Sequence, residues 1–576
     1  MSFRCSKRVG GVMGKAWRSF CVSKATQSSY SDMISSMIQS NVLNFFPNEM
    51  KSSSSIDVDG NSMTIEKLIA LGDGTPLSIS PETIQRLQQS RDIVDRIVES
   101  KVPTYGINTG FGLMSHTNVS YSQLCDLQHN LIRSHASGVG EPLHPSVVRR
   151  IMALRINTLA RGKSGVSLDT FKKLVDLFNT GCTPEVPSQG TVGASGDLAP
   201  LAHIALGLSG EGLIHNPRTN AFEPAPSVLR EYNLEPAKFV AKDGLSLVNG
   251  TQFITGVGSQ ALEAGIICAQ VAQPIAALTL VALNGHMNAF DARVHECRPH
   301  VGSATVARIV RGLVPPNSHT TTDKDVQDFY SLRCVPQIHG TVLESLVSIR
   351  HTLETEMNSS TDNPLIFDPA LCPITNTELP CIISAGNFHG EYPAKALDTL
   401  ALYVGELGRA SVARSMLMID PNRNRGLPAF VVNNPGVNSG FMCWELTAAA
   451  LDAENRTLSM PASAETANTG AGKEDHVSMG GFSARKAVQV VENVQKMLAI
   501  ELLMTTHALH TRFSNKPNFM IPKELSRVFV DCASMSPRMD DDRYLKTDYE
   551  AILGYIQRDL PLKKNLVNPM SDSSSK

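Results

Sequence analysis

The stretch GTVGASGDLAPLAHIAL, residues 190–206, sets a single serine, Ser195, between Ala194 and Gly196 directly ahead of an apolar helical run. A helix start presents unpaired backbone amides and so suits an anion or a ligand. Taken alone, a small-residue turn with Asp197 in the helix's first turn and Pro200 early in it accounts for the pattern. A serine nucleophile on a strained elbow needs glycine where Asp197 stands, and fails on that motif. A third chemistry uses the backbone itself. Glycine has no side chain to keep its amide nitrogen from bending back onto the Ala194 carbonyl. If the Gly196 nitrogen attacked that carbonyl with loss of water, and Ser195 then lost its hydroxyl as a second water, the product would be a five-membered ring bearing an exposed methylene. Such a ring is an electrophile made from the chain.

Other segments set ionisable or amide side chains beside glycine in a way no core requires. They are YGINTGFG (105–112), LIRSHASGVG (131–140), LVNGTQ (247–252), VQDFYSLRCVPQIHG (326–340), SSTDNPLIF (359–367), SAGNFHGEYPAKALD (384–398) and GKEDHVSMGG (472–481). Singly, each residue has a plain structural reading: Tyr105 as a packed loop tyrosine, His135 as a core histidine, Arg333 as half of an ion pair, Phe388 as core and Glu474 as a solvated acid. Their joint occurrence argues for a site on loops held by a rigid scaffold.

Together these motifs resemble the aromatic amino acid ammonia-lyase family, over residues 60 to 510. The resemblance implies that Ala194, Ser195 and Gly196 form 4-methylideneimidazol-5-one, with no external cofactor and no metal. Elimination of ammonia needs an electrophile for the α-amine, a base for the β-proton, a cation for the carboxylate and groups that hold the side chain. By resemblance, the base is Tyr105, whose ordinary pKa of about 10 must be lowered by positive neighbours or helix N-termini. Arg333 suits a bidentate grip on the carboxylate, with Tyr330 a helical turn earlier and Gln327 another turn back. Asn249 and Phe388 resemble the residues beside the ring. His135 and Glu474 match the histidine-using branch, because an imidazole offers two ring nitrogens to a histidine and a carboxylate, and a phenyl ring offers none. The expected reaction converts L-histidine to trans-urocanate and ammonia. A phenylalanine or tyrosine lyase, an aminomutase using the same ring, and a non-enzymatic scaffold of the same fold are the alternatives. Lys473 precedes Glu474 where many bacterial members have glutamine, and SMPASAETANTGAG just upstream is unusual.

The elements that must position these residues are mostly helices. Residues 60–240 mix short helical stretches with Gly-rich loops, whereas 250–510 carry long helices such as ARKAVQVVENVQKMLAIELL, with Val491, Val494, Leu498 and Leu502 on one face. Strand signals are confined to TPEVP, GLPAFVV and PCIIS. The expected architecture is mainly α: a long-helix bundle with a smaller, loop-rich N-terminal part, fumarase/aspartase-like by resemblance. The expected segments are an extension over 1–60, the Tyr and ring-forming part over 61–245, the bundle over 246–512 and a C-terminal helical segment with a loose tail over 513–576. Apolar-striped helices and the resemblance imply a homotetramer with sites shared between chains.

Composition narrows the partners. A formal charge of −2 over 576 residues, without a basic stripe, excludes nucleic acid as an expected partner. The eleven cysteines are scattered and never form C-x-x-C, which points to reduced thiols and a cytoplasmic setting. The apolar run GIICAQVAQPIAALTLVAL is broken by Gln270, Gln273 and Pro274, so it reads as a buried kinked helix rather than a membrane span. Residues 1–31 are basic and serine-rich with no acid, the pattern of an organelle transit peptide or of a disordered extension.

Overall fold

The computed structural model describes residues 54–315, 326–367, 382–515, 519–558 and 560. The basic segment over 1–31 and the SDSSSK tail lie outside the described residues. Five helices make the bundle: α1 (Gln252–Ala282), α2 (Val335–Met357), α3 (Glu391–Ile419), α4 (Met442–Leu458) and α5 (Gly480–Asn515). At 36 residues, α5 is roughly 54 Å long. Its most extensive neighbours are α3 and α1, with α4 and the helix Lys546–Arg558 on other sides. That central place buries the stripe Val491, Val494, Leu498 and Leu502 and also Lys486, Asn493 and Glu501.

The apolar run of the sequence analysis lies within α1, which continues through Pro274. By length and composition this helix could cross a membrane, yet 83% of its apolar window is buried inside the protein. Its polar interruption is satisfied internally: the Gln273 amide donates to Ala269 O at 2.8 Å, and its carbonyl accepts from His339 Nδ1 at 3.0 Å. The described cysteines are free.

Strands are short. Thr183–Pro184 pairs antiparallel with Leu213–Asn216, which pairs with Ala221–Pro224, and Val139–Pro142 pairs with Pro187–Gln189. The TPEVP signal is thereby realised, and the described part of PCIIS forms Ile382–Ile383 against Leu365–Ile366. GLPAFVV is different. Phe430 and Val431 take φ of 53° and 54°, so the segment turns as a 3-10 element rather than extending. One hydrophobic core runs continuously from Ile56 to Leu560. A small satellite of Ile93, Val94, Ile107, Leu124, Ala241 and Ile366 includes the loop that carries Tyr105.

One carboxylate ties three bundle helices together. Glu501 of α5 accepts from Arg414 Nε of α3 at 2.5 Å and Nη2 at 2.8 Å, and from Thr279 Oγ1 of α1 at 2.7 Å. Both charged side chains are wholly buried. Burial of two charges is costly, so this pair is held by geometry rather than by charge alone. Replacing one partner leaves the other charge alone in the core. Arg414→Met should therefore lower unfolding free energy by about 3–5 kcal/mol in denaturant titrations. Arg414→Met with Glu501→Leu should recover most of that loss. A single variant as stable as the parent would contradict this account.

Candidate active site

The turn of Ser195 is fixed by backbone contacts. Gly196 has φ of +77°, and a Cβ there would lie 2.4 Å from Gly250 N and 2.6 Å from Gly250 O. Only glycine fits that approach. Asp197 N donates to Gly250 O at 2.6 Å, and Asn249 Nδ2 donates to Ser195 O at 3.1 Å. Buried Arg155 in turn donates to Asn249 O at 2.7 Å, to Gln252 Oε1 at 2.9 Å and to Ser246 O. The other side of the turn meets the bundle: Gly390 N and Ser478 Oγ both donate to Gly193 O at 3.1 Å. The turn thus sits where α3 and α5 begin. Asn249 is almost wholly buried, and its Oδ1 has no partner beside Ser195.

Glu474 reaches this turn from a distant loop. Its Oε1 accepts from Ser195 Oγ at 2.5 Å, and its Oε2 accepts from Thr469 Oγ1 at 2.7 Å. The same carboxylate acts electrostatically on both His135 and Tyr105. His135 ends the helix Leu124–His135, and its Nδ1 lies 2.9 Å from the Leu131 carbonyl. A carbonyl only accepts, so Nδ1 carries the proton and Nε2 of the neutral ring is an acceptor. Burial depresses the His135 pKa, partly offset by Leu131 and Glu474. Gly106, at φ +77°, lets the Tyr105 loop press on Leu245 and Pro364, where a Cβ would come within 2.7 Å and 2.9 Å. Burial pushes the Tyr105 phenol up, with Glu474 adding to the rise and the Gly112 amide opposing it. In the single chain, therefore, Tyr105 is a poor base near neutral pH. Phe388 is half-buried in the turn just ahead of Gly390.

Tyr330, Arg333 and Gln327 lie elsewhere. Ser331 O accepts from Arg414 Nη1 at 3.4 Å near the C-terminal end of α3, whereas the Ser195 turn contacts Gly390 at its start. The 24 residues between Gly390 and Arg414 rise about 36 Å, far beyond side-chain reach. Tyr330 is 69% exposed, and the Arg333 guanidinium stacks 4.7 Å from its ring centroid. The local helix covers only Tyr330–Arg333, so the helical spacing expected back to Gln327 does not hold. The reason is the tether just before it: Asp328 accepts from Arg425 at 2.7 Å and from His286 N at 2.6 Å, and Phe329 is extended.

A profile of the aromatic amino acid lyases matches residues 63–530. The chain belongs to the aromatic amino acid lyase family. It is a carbon–nitrogen lyase. The histidine ammonia-lyase of Bos taurus is 45% identical to this lyase over 504 residues, spanning 86% of this chain and 74% of its own. A crystal structure of histidine ammonia-lyase from Trypanosoma cruzi superposes with a TM-score of 0.80 at 42% identity, covering 89% and 95% of the two chains. The tyrosine aminomutase of Streptomyces globisporus shares the fold at 34% identity, with a TM-score of 0.80 over 88% and 97%.

Sequence reasoning placed Asp197 in the first turn of its own helix, but in this lyase its carboxylate serves another. It accepts from Ile254 N in the first turn of α1 and from Thr191 Oγ1, each at 2.9 Å. Its burial was visible only in three dimensions. That burial, with the nearby Glu356 adding, raises its pKa from 3.8 to about 7 against those hydrogen bonds. A carboxyl raised on folding stabilises the fold fully below its unfolded value, and this contribution fades as pH climbs through the folded value. Unfolding free energy should therefore lose on the order of 4 kcal/mol from this group between pH 4 and pH 8. Asp197→Asn, which stays neutral and can still accept from Ile254 N, should lack that fall. Parallel stability–pH curves for the two proteins would contradict it.

Proposed function

We propose that this lyase removes ammonia from L-histidine to give trans-urocanate, through an electrophile cyclised from Ala194, Ser195 and Gly196. The observation that carries the reading is the 2.5 Å contact between Ser195 and Glu474, with His135 within the electrostatic reach of that carboxylate. A carboxylate and a histidine acceptor beside the reacting serine suit the two N–H groups of a protonated imidazole ring. The curated histidine ammonia-lyases, up to 45% identical, support the same substrate. An aminomutase relative at 34% identity keeps the rival outcome, return of ammonia to the β-carbon, as a result the product assay would reveal.

The residues present fit the ring. Residue 196 must be glycine, the Ser195 carbonyl already has a donor in Asn249, and Asn249 Oδ1 is buried without a hydrogen-bond partner among the described residues. The ring, once formed, supplies an electrophile for the α-amine and makes nitrogen a competent leaving group. Tyr105 takes the β-proton, the Cα–N bond breaks, and the electron pair of the C–H bond becomes the new double bond. Ser195 surrenders its hydroxyl on cyclisation, which frees Glu474 Oε1 for the imidazole. His135 holds the opposite ring nitrogen, and Phe388 packs beside the turn.

Arg333, Tyr330 and Gln327 join the site from another copy of the chain. The separation of about 36 Å within one chain supports this arrangement, as does the phenol of Tyr105, whose pKa burial and Glu474 push up. A homotetramer built on the exposed bundle faces brings both ends together in the cytoplasm. Arg333 then grips the substrate carboxylate and favours the Tyr105 phenolate.

Adding L-histidine to the purified enzyme should generate the ultraviolet absorbance of urocanate. The peptide spanning Ala194 to Gly196 should be lighter by two waters, roughly 36 Da for the glycine-permitted cyclisation. Ser195→Ala should abolish both. An active enzyme with a full-mass peptide would sink the ring, and a β-amino acid product would sink the lyase outcome. For shared sites, Tyr105→Phe and Arg333→Ala chains should each be inactive and should regain activity when co-expressed and assembled together. Mixed assemblies that stay inactive would contradict sharing.

A further inference from the structure

The geometry points to Thr469 as the residue that positions Glu474 and thereby sets preference for an imidazole substrate; this rests on the reading of the site just proposed. Thr469 and Glu474 close a short loop on themselves. Thr469 N donates to Glu474 O at 2.9 Å, and Glu474 N donates back to Thr469 O at 3.3 Å. Between them Gly470, Ala471 and Gly472 take φ of 57°, 54° and 86°, a run of left-handed residues that folds the chain back sharply. The loop has little freedom to vary: a Cβ on Gly470 would lie 3.0 Å from Glu474 Cγ.

The side chains complete the arrangement. Thr469 Oγ1 donates to Glu474 Oε2 at 2.7 Å, and Ser195 Oγ donates to Oε1 at 2.5 Å. Cyclisation removes the Ser195 hydroxyl. Of these two donors only Thr469 then remains, and it holds the carboxylate plane in the orientation that Ser195 first imposed. Oε1 stays directed at the turn, ready to accept from the substrate ring, while Oε2 is occupied and cannot swing in its place. Thr469 touches neither substrate nor ring in this scheme; it acts through Glu474.

The test is steady-state kinetics of the full-length enzyme with L-histidine, comparing wild type with Thr469→Val, Thr469→Ser and Thr469→Ala. Valine keeps the shape and removes the donor. The loss of one hydrogen bond to a charged group predicts a fall in kcat/KM of about 10- to 100-fold, chiefly in kcat. Serine restores the hydroxyl and should return kcat/KM to within about threefold of wild type by the same reasoning. Peptide mass spectrometry should find the two-water deficit in every variant, which separates positioning of Glu474 from failure to cyclise. If the valine protein does not fold, the alanine protein is read in the same way. Thr469→Val with wild-type kinetics, or Thr469→Ser as impaired as Thr469→Val, would overturn this inference alone. A wild-type enzyme that cyclises yet makes no urocanate would overturn the histidine reading and this inference with it.

Discussion

The site depends on a backbone approach that tolerates no side chain. Gly196 lies against Gly250 so closely that a Cβ would be 2.4 Å from its nitrogen. This contact sets the Ser195 carbonyl on Asn249 and the Ser195 hydroxyl on Glu474, residues far apart in sequence. Buried Arg155 fixes the Asn249–Gly250 side, and the start of α3 fixes the Gly193 side. The Ser195 turn is therefore clamped between the loop-rich N-terminal part and the helical bundle. Rigid clamping is what a cyclisation needs, since the attacking nitrogen and its carbonyl must be held together against the extended preference of the chain.

The bundle determines where the remaining groups lie. A helix the length of α3 separates its two ends by more than any side chain spans. Ser195, Glu474 and His135 gather at one end, and Tyr330 and Arg333 at the other. The Arg414–Glu501 pair and Thr279 hold α1, α3 and α5 in register, so this separation is a rigid property of the chain. In the proposed assembly, an elongated bundle of this kind presents half of the machinery at each end, and catalysis depends on a second copy. Tyr105 expresses the same dependence electrostatically, because burial and Glu474 both oppose its ionisation within one chain.

Much of this was legible in the residues. The Ala194-Ser195-Gly196 turn needs small residues wherever it is found, and the long apolar periodicities could only be helices buried against one another. The motif resemblance added Tyr105, His135, Asn249, Phe388 and Glu474, none of which spacing alone would have assembled. Other features depend on tertiary contacts that leave no local trace. Asp197 looks like a first-turn acid because its true partner, Ile254 N, is remote in sequence. Gln327 sits at helical spacing from Arg333, but the Arg425 tether on Asp328 keeps it off the helix. GLPAFVV has strand composition, yet left-handed backbone at Phe430 and Val431 decides against it. Thr469 falls in the stretch that looked unusual, and only the fold reveals that it faces Glu474.

The central claim is that Glu474, placed by Ser195 and its loop, makes this an imidazole site. It is tested most directly by kcat/KM for L-histidine and L-phenylalanine in the wild type and in Glu474→Gln. A site built to hydrogen-bond its substrate rejects an analogue without those atoms by about 10⁴ to 10⁵, because its own polar groups are left unpaired. The account predicts a preference for histidine of that order in the wild type. It also predicts that Glu474→Gln, which keeps the shape and removes the charge, loses far more in kcat than in KM with histidine. Comparable turnover of phenylalanine by the wild type, or unchanged histidine turnover in Glu474→Gln, would contradict it.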